Sequence, residues 1–505
     1  MLLTNTIMLS VETAALLLLS YSIYDIVYNI FFHPLRRFPG PKLAVASKLP
    51  FVFYRCSGLQ ARWTKSCHDK YGPVVRLAPN QLSFTSVDAW RDIYGHKLAG
   101  KGGMPKDLIA YGPDFSGSNG ILRTNDEDHA RHRRLLAHAF SETALRDQEP
   151  LIRKYVNMLV DKLGASAQAS TPVDMVRMYN YIAFDIIADL TYGEALGMLE
   201  NSDYTPWVRN IMPSVKGLVY IATIYSNFPS LGALLQRFLL PSSIMERRKA
   251  HARYSDNRVD ARLARKTDRP DIWSFVLRHN EDDGKGLSLA EMHADGGTLM
   301  IAGTETTATL LSGLTFFLLR NPATLEKLTR EVRSAFARPQ DMDMATLGRL
   351  PYLNACLSEG FRIYPPVPTG LPRRVPPPGR VVCGENVPGG ASVYVSHYAA
   401  YHSPENFCEP DSFVPERWLP EQREERFDKD VRDVVKPFSH GPRNCIGKNL
   451  AYHEIRLVLA NVLWHYDLEL CPESEKWDDQ RVYLVWDKNP LMCKLKPVKR
   501  IEDGL

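Results

Sequence analysis

The ten residues Phe438-Ser439-His440-Gly441-Pro442-Arg443-Asn444-Cys445-Ile446-Gly447 constrain the fold more than any other stretch, because they present one cysteine from a tight turn. Gly441 and Gly447 permit turn conformations that other residues resist and let the main chain approach a flat group closely. The amide N–H groups of such a turn, Arg443, and the N-terminus of a helix starting just after Cys445 would each stabilise a thiolate. A thiolate so placed can serve as the axial ligand of a haem iron, pushing electron density onto the metal and favouring O–O cleavage. The competing reading is a buried structural cysteine beside a glycine-rich turn. Asn444 carries no role derivable from the sequence.

The rest of the composition narrows the function class. Eight cysteines are scattered without a C-x-x-C pair, which suits neither a disulfide framework nor a zinc site and fits a reducing compartment. The formal net charge of +5 argues against a nucleic-acid binder while leaving room for a local basic patch. Residues 7–32 are mostly apolar, densest over 14–24, but Glu12 and Asp25 leave an uncharged run shorter than the roughly 20 residues of a full span. A membrane anchor is expected over residues 1–32, with both acids near the bilayer surfaces; a cleavable signal peptide is the alternative, without the usual basic n-region. No Lys or Arg precedes the segment, whereas Arg36, Arg37, Lys42 and Lys48 follow it, which places the bulk of the protein in the cytoplasm. Pro34, Pro39, Gly40 and Pro41 then make a stiff hinge over residues 33–42, ahead of a catalytic domain spanning 43–505.

Along that domain, residues 74–77 and 82–84 flank Pro79-Asn80 and read as a small β-hairpin. Residues 99–122 read as a long loop, a substrate lid or a plain connector. His129 and Arg133 lie four apart on one helical face within a basic cluster. Residues 231–240 are conspicuously apolar, a buried core helix or a membrane-dipping segment. A long apolar helix is expected over 288–320, interrupted by Ala302-Gly303-Thr304-Glu305-Thr306-Thr307, where glycine and threonines lower helix propensity and predict a kink. Glu305 and Thr306 supply an acid and a hydroxyl suited to proton relay, the alternative being a threonine-rich packing seam. Glu359 and Arg362 can pair on one helix, and Arg417 lies downstream in Pro415-Glu416-Arg417-Trp418. A terminal hairpin is expected over 483–495, turning at Asn489-Pro490. No flavin or nicotinamide fingerprint is evident.

Taken together, the cysteine loop, the His129-x-x-x-Arg133 pair, the Ala302-to-Thr307 run, Glu359-x-x-Arg362 and Pro415-to-Trp418 resemble the ordered motifs of cytochrome P450 monooxygenases. The stretches Phe31 to Pro41, Pro365 to Arg373 and Ser83 to Trp90 resemble the fungal microsomal type, in the isotrichodermin C-15 hydroxylase group of secondary-metabolism enzymes. The resemblance implies a mainly α-helical fold with small β-sheets and haem b bound by Cys445, with Phe438 packed beside it. It further implies that Arg133 and Arg373, with Arg374 as fallback, meet the haem propionates. His129 stands where the family usually has tryptophan, so it keeps a hydrogen-bond donor and loses the stacking area. Ala302, Glu305 and Thr306 would form the oxygen-activating segment, and Glu359, Arg362 and Arg417 a buried structural network. The loop over 99–122 would roof the haem, residues 367–371 would line the pocket, and the terminal hairpin tip would reach substrate. Electrons from NADPH would arrive through NADPH–cytochrome P450 reductase, docking near Arg131, Arg134, Lys436 and Lys448, with the protein anchored in the endoplasmic reticulum membrane. The implied reaction inserts one oxygen atom of O2 into a lipophilic small molecule, a terpenoid, polyketide or alkaloid of fungal secondary metabolism. The rivals are a reductase-independent haem-thiolate isomerase or dehydratase and a non-catalytic haem-binding protein.

Overall fold

The structure, a computed structural model, describes residues 2–96, 103–111, 120–209, 211–228, 242–267, 269–280 and 286–498. The N-terminal apolar stretch forms α1 (Leu2–Val27), extended by one π-helical turn over Tyr28–Phe32. Within it, Ala15–Phe32 is long and apolar enough to cross a membrane, alone among the described residues in that respect. Leu16 to Leu19 are 58–68% exposed, an apolar surface that the rest of the described chain does not cover.

The proline-rich segment that follows does not stand clear of the domain. Asn29, in the π-helical turn, is buried; its Nδ2 donates to the Ala46 carbonyl at 3.1 Å, and its own carbonyl accepts from Arg76 Nη1 at 3.0 Å. Arg76 N donates to the Pro39 carbonyl, while Leu35 and Phe38 are buried. Residues 33–42 are thus packed against β1 (Val74–Ala78) and its surroundings, which fixes the angle at which α1 leaves the domain.

Helices build the body of the domain. In chain order the ones that shape the site are α2 (Asp126–Leu136), α3 (Met175–Tyr192), α4 (Ile211–Asn227), α5 (Leu289–Arg320), α6 (Pro351–Ile363) and α7 (Lys448–His465). Every side chain of α3 from Tyr179 to Tyr192 is buried, so this helix is a central strut rather than an amphipathic surface helix. The long α5 starts at a capping box in which the Ser288 side chain and Glu291 satisfy each other's backbone N–H groups. It packs along α3 and against α6 and α7, with Leu310, Leu311, Leu314, Leu353, Leu357 and Leu457 fully buried between them.

The sheets are small. β1 pairs antiparallel with β2 (Gln81–Phe84), the hairpin that the alternation around Pro79-Asn80 predicts. With β3 (Arg373–Arg374) and β4 (Ser392–Val395) they make a four-stranded sheet in the order β1-β2-β4-β3, parallel only between β2 and β4. β5 (Arg481–Tyr483) and β6 (Val485–Asp487) form a separate hairpin. It turns at Leu484, whose φ of +71° is left-handed, and not at Asn489-Pro490 as the sequence suggests. Asn489 and Leu491 are taken up instead by bonds to Trp477 and Asp174, and Met492–Pro497 pairs with Tyr466–Leu470 and Val173–Asp174. Residues 99–102 and 112–119 of the expected roof loop, and the apolar run 231–240, lie outside the described residues.

Candidate functional site

Cys445 sits at the end of a turn that the main chain itself closes: Cys445 N donates to the Phe438 carbonyl at 2.8 Å, and α7 begins three residues on. Gly441 has φ +75°, and a Cβ there would lie 1.9 Å from the Tyr94 carbonyl oxygen, so only glycine fits. Gly447 has an ordinary φ, and a Cβ on it would meet only Phe140 at 3.8 Å and Cys445 Sγ at 4.0 Å. Phe438 is held edge-on by Phe361 with ring centroids 5.1 Å apart, which couples the loop to α6. Cys445 is exposed as a residue, yet burial pushes the pKa of its thiol up, with a Gly447 backbone hydrogen bond and Arg133 pulling the other way. A side chain that is accessible but deep lines an internal cavity.

The basic residues divide into those already paired and those held in reserve. Arg133 makes a fork to Asn444, donating to its carbonyl and to Oδ1 at 2.6 Å each, so α2 clamps the cysteine loop. Asn444, silent in the sequence, is the receiving half of that clamp. Arg443 does not turn to the thiol; it donates to Asp126 Oδ1 and to the Thr124 carbonyl at 2.8 Å each. Its Nη1, however, is buried without a partner, as is Nε of Arg373. Arg373 is only 4% exposed on β3, beside Tyr94, with Lys106 bridged to it through the main chain. Arg374 is occupied, bonding Asp107 at 2.6 Å and the Gly390 carbonyl at 2.7 Å, so the structure separates the two adjacent arginines.

Around Arg373 and Arg443 the positive groups crowd one another. Burial, followed by Arg373, Arg443 and Arg123, lowers the Lys106 pKa to about 7. Burial, then Arg443, Lys106 and Arg133, lowers His129 to about 3, so the imidazole is neutral. Orphaned guanidinium atoms and depressed basic groups are what remains when an anion belongs in their midst. The two carboxylates of a haem b suit this cluster, and an accessible, buried thiol suits its iron. Lys106 is a member that the sequence did not point to.

On α5, Thr306 Oγ1 donates to the Ala302 carbonyl at 2.8 Å, and Thr304 Oγ1 to that of Met300 at 2.8 Å, the back-bonding that the threonines predict. Ile301 and Ala302 are exposed although the helix is largely buried, which makes this a cavity-lining segment. The helix nevertheless runs unbroken through it. Gly303 serves packing, since a Cβ would come 2.9 Å from the Ile187 side chain of α3. Glu305 is buried and turned onto Lys488, Nζ to Oε2 2.8 Å. A second buried acid, Glu454 of α7, is pushed up to about 8 by burial against an opposing hydrogen bond from Thr307. Neither Lys488 nor Glu454 carries a signal at the level of short motifs.

Beneath the loop, Glu359 receives both Nε and Nη2 of Arg362 at 2.8 and 2.7 Å and Nε of Arg417 at 3.1 Å. Trp418 Nε1 and Val414 N complete its shell, and Arg417 also pairs with Asp430. Glu359, Arg362 and Arg417 are all 0% exposed; burial alone would raise Glu359, but the two arginines hold it below its usual value. Arg131, expected on an outer docking face, is instead drawn to Glu291 at 2.5 Å and to the Gly286 carbonyl. Next to it the buried His132 joins Glu291 and Asp295, which ties α2 to the first turns of α5.

Residues 39–495 match the family model described as Cytochrome P450. The chain is 48% identical over 485 residues to the cytochrome P450 monooxygenase efuB of Hormonema carpetanum, covering 95% of each. It is 44% identical over 477 residues to FUM2 of Gibberella moniliformis, covering 94% of this chain and 100% of that one, and 43% identical over 488 residues to astA of Talaromyces wortmannii, covering 97% of each; both are named cytochrome P450 monooxygenases. A near-complete match to the family, from a chain that presents an exposed Cys445 in a clamped turn and orphaned guanidinium atoms on Arg373 and Arg443, has one consequence: the chain belongs to the cytochrome P450 family and is a monooxygenase of the haem-thiolate class.

Proposed function

We propose that Cys445 would hold a haem b through its thiolate and that Arg373, Arg443, His129 and Lys106 would receive its carboxylates, and that the protein oxidises a lipophilic small molecule of fungal secondary metabolism. The observation that carries the assignment is the Cys445 thiol, reachable yet deep, in a turn closed by the Phe438 carbonyl and clamped by Arg133 through Asn444. When bound, the haem supplies the activation of O2, using two electrons from a reductase so that one oxygen atom enters the substrate and the other leaves as water.

The chain's own residues do the rest. The Gly447 amide and Arg133 favour the thiolate, and the clamp on Asn444 holds the loop in one geometry. Neutral His129 donates to a carboxylate without adding charge, while Arg373 and Arg443 offer charge-assisted bonds from their orphaned atoms. Ala302 and Ile301 form an apolar wall, and the Thr306 hydroxyl, bonded back to Ala302, stands ready to hold and pass a proton. Glu305, paired with Lys488 on the protein side of α5, would take up a proton and hand it on to Thr306. Glu359, Arg362 and Arg417 hold the scaffold under the loop and take no part in the chemistry.

Electrons come from NADPH through NADPH–cytochrome P450 reductase, with Arg134, Lys436 and Lys448 as the docking cations now that Arg131 is turned inward. α1 anchors the protein in the endoplasmic reticulum membrane with residues 43–505 as the cytoplasmic catalytic domain and 33–42 as the docked connection. The test is the carbon monoxide difference spectrum of reduced membranes carrying the wild type or Cys445→Ala. A thiolate-type Soret band that vanishes in the variant is the expected result; an unchanged band in Cys445→Ala overturns the assignment.

A further inference from the structure

We propose that Lys488 is a positioning residue for proton delivery, acting through Glu305; the inference rests on the haem-thiolate monooxygenase reading above. Lys488 Nζ lies 2.8 Å from Glu305 Oε2 and 2.8 Å from Thr309 Oγ1, so two of its three protons grip α5 one turn apart. Both side chains are almost fully enclosed, 4% exposed for Lys488 and 5% for Glu305. An ion pair so deep is costly to assemble and rarely the cheapest way to stabilise a helix. It sits, moreover, on the acid next to Thr306, one turn beyond Ile301 and Ala302, which are exposed in the middle of the largely buried α5.

Lys488 is itself held in place. It follows directly on β6, where Asp487 pairs with Lys216 of α4 at 2.6 Å and Trp486 Nε1 donates to the Pro365 carbonyl at 2.8 Å. Neither contact touches Glu305. They hold the strand from which the ammonium reaches α5, so the position of the acid is set by an element 183 residues away in sequence. The ammonium keeps the Glu305 carboxylate on the side of α5 away from random water and gives it a fixed donor from which a proton can be replaced.

The bookkeeping of oxygen shows what this must influence. Monooxygenation consumes a substrate C–H, O2, two electrons and two protons and yields an alcohol and water. Without substrate, O2 takes either two electrons and two protons to give hydrogen peroxide, or four of each to give two waters. Electrons come from NADPH through the reductase on every route. Every route puts one proton on the distal oxygen, but only those that cleave O–O put a second one there, since peroxide leaves with its second proton on the other oxygen; a misplaced relay acid therefore shifts the products toward peroxide.

The experiment therefore needs no identified substrate. Full-length protein in reductase-containing vesicles is given NADPH and O2, and peroxide formed per NADPH consumed is measured for wild type, Lys488→Met and Lys488→Arg, after subtracting reductase alone. Lys488→Met should raise the ratio of peroxide to water at least about fivefold, with the carbon monoxide band intact, and Lys488→Arg should restore most of the wild-type ratio. Independently of turnover, Lys488→Met and Glu305→Gln should each lower the melting midpoint, and the double variant should recover most of the loss, because a pair broken from one side leaves a buried charge. A wild-type ratio in Lys488→Met, or additive losses in the double variant, overturns the proposal. A wild-type protein without a thiolate-type band brings down the underlying assignment instead.

Discussion

Two clusters of charge lie close to the cysteine loop and are built on opposite principles. Around Glu359, every strong donor and acceptor has a partner: the carboxylate takes both arginines, an indole and a main-chain N–H, while Arg362 also reaches the carbonyls of Tyr401 and Ser412. Around Arg373 cations predominate, Asp126 being taken by Arg443 and Asp107 by Arg374; Nε of Arg373 and Nη1 of Arg443 are orphaned, and Lys106 and His129 are pushed toward neutrality. The first cluster is complete within the polypeptide and behaves as scaffold. The second is complete only when something anionic joins it, which marks a binding site.

The largest effect expected from this contrast follows from cutting the complete cluster. Glu359→Gln leaves two buried guanidinium groups short of a counter-charge and should cost about 3–5 kcal/mol, enough to deplete folded protein. Loss of soluble, haem-loaded enzyme on expression, together with a lowered unfolding midpoint, checks it; a variant as stable as wild type would mean the network is dispensable.

Arg373→Ala should do the reverse. It removes a cation from a crowd of cations, so the haem-free protein should be no less stable, while haem retention weakens by about 1.5–3 kcal/mol, the worth of a hydrogen bond to a charged group. Haem transfer to an apo-globin acceptor measures this, and the expected loss is about tenfold or more. Equal destabilisation of the haem-free protein would erase the distinction between the two clusters.

The smallest effect concerns Glu454, buried on α7 with its pKa raised to about 8 from an ordinary 4.5. A carboxyl raised in the folded state binds its proton more tightly there, so stability falls as pH climbs from about 4.5 to about 8 and the cost persists above that. Glu454→Gln, which cannot ionise, should flatten that slope and gain about 1–2 kcal/mol at pH 8 relative to wild type. Thermal melts at pH 5 and pH 8 decide it: parallel pH dependence in the two proteins would place the titrating group elsewhere.

The parts legible in the sequence were those in which the physics is local. The β1–β2 hairpin follows from alternation about Pro79-Asn80, the apolar pattern over 288–320 announces α5, and Glu359 and Arg362 meet because they lie one helical turn apart. The threonines of α5 bond back to the preceding turn as their chemistry requires, while Gly303 answers to Ile187 of another helix. Arg131 could not be told from a surface arginine, since its partner Glu291 is 160 residues away. The same holds for the hairpin turn: Asn489-Pro490 is the stronger local signal, yet long-range bonds to Trp477 and Asp174 claim that segment and leave Leu484 to turn.

By itself, then, the sequence singled out the residues proposed to carry the chemistry: one cysteine in a glycine-bearing turn, a threonine beside an acid on a long apolar helix, and a set of basic residues in a fixed order. Composition and spacing suffice there, because side-chain identity and helical period act over a few residues. Only the tertiary structure decided which of those charges are spent and which are kept in reserve. Asn444 receives Arg133, Asp107 consumes Arg374 but not Arg373, and Lys488 closes on Glu305, each across 183 or more residues. Pairing a charge is a question of what lies within 3 Å of it in a medium where water cannot compensate, and that distance is set by the packing of whole helices rather than by neighbours along the chain.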